Sequence, residues 1–418
     1  MLDRSNVSAA QKDRILFVTH VAIRQTPEGL WIDDQTAEGL VRWCENFGQV
    51  SYAGIELDEE DVAKWPTITW VRIEDLPCSD RLNIIRLPRA YRIGAFSGAY
   101  KRTRALLADE IARSGYLCFT LGAVVGDWAA IGALEAIKQR RRYAVWFDRV
   151  EHEVVRSDLP NMPLKRRMKE RITLLLMPRY HRYLIERSQL GLFQGKDCYD
   201  HYSQFTNKGF CVYDTHTKTS DFIDDAVLRA KIASAHQGEP LRICYVGRAA
   251  DMKGPLDWIE VLAKARDAGV PFKATWFGDG PMIEEMRQMV ADRGLDGVIS
   301  LPGFLSDRGA VLDAMRDAHV FLFCHKTPES PRCLIEALVS GTPIVGYASA
   351  YARDLVAGDG GGDFVDVSDV RGLADRLIAL NGNRQALADL IADAAKSGLR
   401  FDEQTVYRYR AGLLRDKL

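Results

Sequence analysis

At 418 residues the chain exceeds what one ordinary hydrophobic core holds together, so two domains are expected. With 47% apolar and 27% charged residues the composition is globular, which excludes a disordered or low-complexity polymer. The formal net charge of −1 conceals an uneven distribution, and eight cysteines without a C-x-x-C pair point to buried reduced thiols rather than a disulfide framework or zinc site.

The N-terminus Met1-Leu-Asp-Arg-Ser-Asn6 offers no apolar signal core. No stretch approaches the roughly 18 uninterrupted apolar residues that a membrane-spanning helix needs. The expected location is the reducing cytoplasm. Ile15-Leu-Phe-Val-Thr-His20 is a short apolar run of the kind buried on both faces of a parallel sheet. A helix over 36–46 and a strand over 50–54 follow. Strand 67–71, helix 97–113, strand 117–121, helix 128–140 and strand 143–147 continue the alternation. Strands alternating with helices imply βαβ units, hence one Rossmann-like domain over residues 1–214. Residues 215–240 are polar and poorly periodic and read as a linker. From Leu241 the alternation restarts: strand 241–247, helix 255–268, strand 272–278, helix 281–293, strand 298–301, helix 310–318, strand 320–323, helix 331–340, strand 343–346. A second Rossmann-like domain is expected over 241–397. Residues 398–418 are expected to form a last helix.

No G-x-G-x-x-G fingerprint occurs, which argues against a dinucleotide oxidoreductase. Gly278-Asp-Gly280-Pro lacks the third glycine and reads first as a tight strand-to-helix turn. Two α/β domains instead suggest ligands bound beyond the carboxyl ends of the strands. The chemistry concentrates at two places. Val246-Gly-Arg248-Ala-Ala-Asp-Met-Lys253-Gly follows a strand directly, and its two cations can converge on one anion. Arginine offers a bidentate fork and lysine a compact charge, and both suit a diphosphate. Thr327-Pro-Glu329-Ser-Pro331-Arg332-Cys333-Leu334-Ile-Glu336-Ala-Leu-Val-Ser-Gly341-Thr-Pro is the second. Pro331 suits the first helical position with Ser330 as N-cap, and the free N–H groups of Arg332, Cys333 and Leu334 make a phosphate seat. Glu336 lies beyond the first turn, where a carboxylate can accept from ribose hydroxyls. His325 ends the strand just before this segment.

Together these motifs resemble the retaining glycosyltransferase family four. The resemblance spans the second domain through Val-Gly-Arg248…Lys253-Gly, Phe-Gly278-Asp-Gly280-Pro, Leu-Pro-Gly303-Phe304-Leu305 and Glu336-Ala-Leu…Gly341-Thr-Pro. It extends weakly to Phe401-Asp-Glu-Gln…Tyr407-Arg-Tyr409. It implies the GT-B fold: two Rossmann-like domains facing a central cleft, with the C-terminal helix crossing back to the first. It implies that Arg248 and Lys253 bind the diphosphate of a nucleotide-sugar, that Glu336 binds its ribose, and that Phe304 and Leu305 border the nucleobase. Gly278, Gly280, His325, Arg332, Cys333 and Leu334 complete the donor set. Family members usually place two glutamates eight positions apart, the first on the donor sugar. Here Glu329 and Glu336 are seven apart, so a loop shortened by one residue must deliver Glu329 to the sugar.

The first domain resembles the family only in outline. Where members often carry a glycine-rich loop after the first strand, this chain reads His20-Val-Ala-Ile-Arg24-Gln-Thr-Pro-Glu-Gly29, leaving Arg24 and Gly29 as acceptor-side candidates. Asp148 ends strand 143–147 where the family often presents a polar residue to the reacting sugar, and His152 follows one turn later. Asp148, Glu329 and His152 are the catalytic candidates. No Asp-x-Asp occurs, so no metal clamp or other cofactor is expected, and cations and helix N–H groups must stabilise the leaving diphosphate.

Two segments are strongly basic. Residues 81–108 hold seven basic side chains and no acidic one, and residues 165–187 hold eight against Glu170 and Glu186. The second has an apolar middle, Ile172-Thr-Leu-Leu-Leu-Met, and Pro178 is expected to interrupt its helix. Such segments suit an anionic inner-membrane face or an acidic glycan, or simply pack a leucine face inward. Nucleic acid is not expected, since few aromatics interleave these charges and no known module appears. The expected acceptor is a glycan or lipid-linked glycan. A silent nucleotide-sugar-binding scaffold and a nucleotide-sugar epimerase remain the alternatives.

Overall fold

A computed structural model describes residues 13–63 and 68–418; the opening residues Met1–Asn6 and the start of the 67–71 strand lie outside them. The chain divides into two compact units. One comprises the residues up to His216 together with Gln404–Leu418, and the other Thr217–Glu403.

The first unit contains strands β1 (Arg14–Thr26), β2 (Gly29–Asp33), β3 (Gln49–Leu57), β4 (Trp70–Arg72), β5 (Leu82–Leu87), β6 (Tyr116–Thr120), β7 (Ala144–Phe147), β8 (Leu190–Gln194) and β9 (Gly209–Val212). Seven of them pair in parallel in the order β5-β3-β1-β6-β7-β8-β9. The apolar run recognised at Ile15–Val18 is fully buried at the centre of that sheet, as helices on both faces require. β1 does not end at His20. It bulges between Val18 and Ala22, continues to Thr26 and turns back as the antiparallel β2. Thus the segment expected as a degenerate phosphate loop is a hairpin, with Gly29 opposite Thr26 at its turn. Strands β5, β8 and β9 fall where the sequence pattern suggested none. β5 is hidden among arginines, and β8 and β9 are short and interrupted by glycine, so neither alternation nor a long apolar run marks them.

The second unit contains β10 (Leu241–Val246), β11 (Phe272–Phe277), β12 (Ile299–Gly303), β13 (Val320–Phe323), β14 (Ile344–Tyr347) and β15 (Gly362–Val365). They form one parallel sheet in the order β12-β11-β10-β13-β14-β15, a doubly wound arrangement. The stretch expected as a linker is not bare connection. Asp225–His236 is a helix capped by Asp224, and it belongs to this unit.

One further helix corrects the sequence reading, and the C-terminal one falls where a last helix returning to the first unit was expected. Leu164–Arg187 runs unbroken through Pro178. Proline removes one helical hydrogen bond, yet buried Met177, His181, Leu184 and Ile185 hold the segment around it onto the unit. Glu403–Lys417 carries Tyr407, Ala411 and Leu414 into the core of the first unit, beside Trp43 and Trp146, and Leu418 follows it there. Arg410 is buried there, its guanidinium 4.0 Å from the Tyr407 ring centre and 3.4 Å from Asp214. Residues 398–403 stay with the second unit.

Candidate functional site

In the second sheet the winding direction reverses between β10 and β13, so the chain leaves the carboxyl ends of these neighbours in opposite directions and opens a crevice there. The two sequence motifs emerge at those two strand ends. Gly247–Lys253 follows β10, and Cys324–Glu336 follows β13. Lys253 Nζ forms an ion pair with Glu329, and both side chains are largely buried. Arg248 is exposed and makes no ion pair among the described residues.

The loop that bears these cations is held from three sides. Gly247 N–H donates to Phe277 O (2.9 Å), Ala249 N–H to Asp279 O (2.9 Å), and Lys326 N–H to Met252 O (2.9 Å). Gly278 has a φ of +152°, and a β-carbon there would lie 2.0 Å from the Gly247 carbonyl oxygen. At Gly280 a β-carbon would lie 2.4 Å from Ala249 O. These two glycines let the β11 turn press against the Arg248 loop, which gives them a positional role.

His325 is buried, and its Nε2 shares a 2.8 Å hydrogen bond with the Tyr245 hydroxyl. Burial, reinforced by the charge of Lys253, holds its pKa well below that of a free histidine, so the imidazole is neutral. The helix Arg332–Val339 begins one residue later than expected, with Pro331 in the capping position and no side-chain cap on its first turn. Leu334 is buried; Cys333 stays a thiol, its pKa pushed up to about 12 by burial. Glu336 sits in the second turn and accepts from Arg308 Nη1 at 2.7 Å, while Arg308 Nη2 donates to Asp221 at 3.2 Å. Arg308 was not singled out from sequence. Its only signal was Asp307, which caps the Arg308–Asp317 helix close after the Gly303-Phe304-Leu305 segment. Phe304 is exposed and Leu305 half-buried beyond the end of β12.

The first unit has its own reversal, between β1 and β6. His20 lies in the bulge of β1 there, and its Nε2 is 3.7 Å from Asp127 Oδ2. Asp127 is buried and accepts from the N–H groups of Gly122 (2.9 Å), Ala123 (3.1 Å) and Ala130 (3.0 Å). Neither residue was singled out, although Asp127 directly precedes the apolar helix at Trp128 as an N-cap should. Asp148 follows β7. Its surface is exposed, yet the surrounding protein and the neighbouring Asp214 carboxylate push its pKa up to about 6. His152 is buried, and its Nδ1 has no hydrogen-bond partner. Burial and the nearby His201 lower its pKa, so it too is neutral. His152, Glu153 and His201 bring ligand-capable atoms within 4.8 Å of one another, a grouping invisible in sequence because His201 arrives from a separate helix. Arg24 is not part of this set. It lies on the β1–β2 hairpin in an exposed pair with Glu59 at 3.2 Å, and Gly29 lies at the hairpin turn against Glu74.

Residues 229–397 match the family model described as "Glycosyl transferases group 1". Over 188 residues the chain is 31% identical to the "Putative colanic acid biosynthesis glycosyltransferase WcaL" of Escherichia coli K12, covering 42% of this chain and 45% of that one. Over 181 residues it is 31% identical to the "2-deoxystreptamine N-acetyl-D-glucosaminyltransferase" of Streptomyces fradiae, covering 41% and 42%. The matched stretch thus spans less than half of each relative. A crystal structure of HepE from Anabaena in complex with UDP superposes with a TM-score of 0.66 at 15% identity, covering 96% of this chain and 100% of that one. The fold is GT-B, built from two Rossmann-like α/β units.

Proposed function

We propose that the chain is a glycosyltransferase that moves a sugar, with retention of anomeric configuration, from a nucleoside-diphosphate sugar to a saccharide or lipid-linked saccharide. The product would belong to a cell-surface polysaccharide or glycoconjugate. One observation carries this reading. Lys253 pairs with Glu329 where the chain leaves β10 and β13, with Arg248 on the same loop as Lys253, an uncapped helix start at Arg332, and Glu336 held by Arg308. The names of the relatives and the UDP bound by the HepE structure support it, and uridine is the first base to test.

In this reading Arg248, Lys253 and the N–H groups of Arg332, Cys333 and Leu334 take the diphosphate. Glu336 takes the ribose, and Glu329 turns from Lys253 to the sugar hydroxyls. The bond between the anomeric carbon and the diphosphate oxygen breaks as charge builds on that oxygen, and the fixed cations and helix N–H groups stabilise it. The acceptor hydroxyl attacks from the same face and gives its proton to the leaving phosphate. Asp148, as a carboxylate, stabilises the positive charge developing on the ring. No step needs a protein nucleophile, and the cations supply the charge that a metal would otherwise bring. Neutral His325 contributes shape and a hydrogen bond rather than charge. The enzyme would work at the cytoplasmic face of a membrane.

A thermal-shift screen of nucleoside diphosphates and nucleotide-sugars tests the donor site, since a ligand bound only by the folded state raises the melting temperature. A selective rise with one base, lost in Lys253→Ala and Glu336→Ala, is expected. If no nucleotide shifts the protein at millimolar concentration, the transferase reading fails and the scaffold alternative fails with it.

A further inference from the structure

The helix Leu164–Arg187 turns its apolar residues the wrong way for a solvated helix. Leu164 is 74% exposed, Met168 69%, Ile172 60%, Leu175 64% and Leu176 52%. At about 100° per residue, these five side chains fall within an arc of roughly 120° on the helix surface. The residues that fasten the helix to the first unit, Met177, His181, Leu184 and Ile185, lie on the other side. The leucine run, which the sequence left either packed inward or offered to an anionic surface, is an outward apolar stripe, and a contiguous exposed patch of this kind marks an interaction surface.

Charge narrows the partner. Lys165, Arg166, Lys169 and Arg171 are exposed along the same half of the helix and have no side-chain partner among the described residues. The other basic segment differs. In 81–108, Arg81 donates to Cys44 O (2.8 Å), Arg86 pairs with Glu56 (2.7 Å), Arg104 pairs with Glu135 (2.8 Å), and Arg89 pairs with Asp61. Three of its seven cations are thus neutralised by carboxylates within the fold, and Arg92, Lys101 and Arg102 stay exposed. A second copy docking through the Leu164–Arg187 stripe would bring these unpaired cations face to face. An anionic lipid surface meets both demands, taking apolar side chains into the headgroup boundary and cations onto its phosphates. Among the described residues no helix is long and apolar enough to cross a membrane, so the contact is one that lies on the bilayer.

We propose that the Leu164–Leu176 face docks the protein on an anionic bilayer. The proposal deepens the transferase reading by giving the lipid-linked acceptor a place, and it rests on that reading only for this link.

Sedimentation of the full chain with lipid vesicles tests it. Vesicles of phosphatidylcholine mixed with phosphatidylglycerol should carry the protein down, and phosphatidylcholine alone should do so far less. Ile172→Asp with Leu175→Asp and Leu176→Asp should abolish binding. Changing Lys165, Arg166, Lys169 and Arg171 together to Gln should weaken it by roughly fivefold per cation and remove most of its salt dependence. The nucleotide-induced melting shift should persist in both variants, since these residues belong to the first unit and the donor candidates to the second. A normal nucleotide shift with no binding to anionic vesicles overturns the docking surface and leaves the transferase reading standing. Vesicle binding without any nucleotide shift does the reverse. Self-association that the triple variant removes, without vesicle binding, assigns the stripe to a second copy and overturns the proposal.

Discussion

Lys253 and Glu329 neutralise each other in the proposed donor crevice, and both are mostly buried, so in that reading the pair must open before Lys253 takes a diphosphate. Replacing Glu329 by Gln removes that competition. Titration calorimetry of Glu329→Gln should find the nucleoside diphosphate bound roughly two- to fivefold more tightly, the worth of a modest ion pair. Sugar transfer should fall by at least tenfold if Glu329 holds the sugar. Unchanged transfer would remove Glu329 from the sugar site. Asp148 supplies a pH test. Its pKa is raised to about 6, so the carboxylate is lost as pH falls through that value. A role as carboxylate therefore predicts a transfer rate that declines below pH 6, and Asp148→Asn should be slow and lack that acid limb. An acid limb that survives in Asp148→Asn must come from another group. At this scale the sequence was most legible where a residue's type states its job. Arg248, Lys253 and Glu336 could be proposed as donor residues because two cations and a carboxylate after strands suit a diphosphate and a ribose. Arg308 and His20 could not, since their meaning lies in Glu336 and Asp127, which only the fold brings near.

Turns and strand ends decide how the donor crevice is shaped. Gly278 lies 2.0 Å from the Gly247 oxygen when a β-carbon is placed on it, at a φ of +152°. Gly278→Ala must push the Arg248 loop away, so it should cost about 1–3 kcal/mol in urea unfolding and weaken nucleotide binding as well. Stability lost with affinity kept would mean that the loop does not set the cation positions. The pair of glycines was visible in sequence, but as a turn; that the turn supports the neighbouring loop depends on β10 and β11 being adjacent. Pro178 failed as a breaker for a related reason. One lost helical hydrogen bond is outweighed when the residues around it are packed into a core. Likewise β1 ran on past His20 because its continuation finds a partner in β2, and nothing between Val21 and Gly29 announces that pairing.

The chain passes from the first unit to the second and returns, and the return is structural. Glu403–Lys417 completes the aromatic core of the first unit with Tyr407 and Leu414. Leu414→Ala should therefore cost roughly 2–5 kcal/mol in the denaturant transition of that unit, while the nucleotide-induced shift should remain, because the donor residues belong to the second unit. A loss below about 1 kcal/mol would mean that the helix is not part of the core.

Local periodicity by itself determined the two α/β halves, since buried parallel strands read as short apolar runs and their crossover helices as longer amphipathic ones. It also made the proposed donor motifs legible, because residues suited to a diphosphate lie within a few positions of one strand end. The tertiary structure alone decided which strands are neighbours and so where each sheet reverses. It decided which side chains of the C-terminal helix enter the first core, and that the leucines of Leu164–Arg187 face outward. Those outcomes depend on contacts between residues far apart in the chain, and a helix's pattern of apolar residues does not say which side the rest of the molecule will cover.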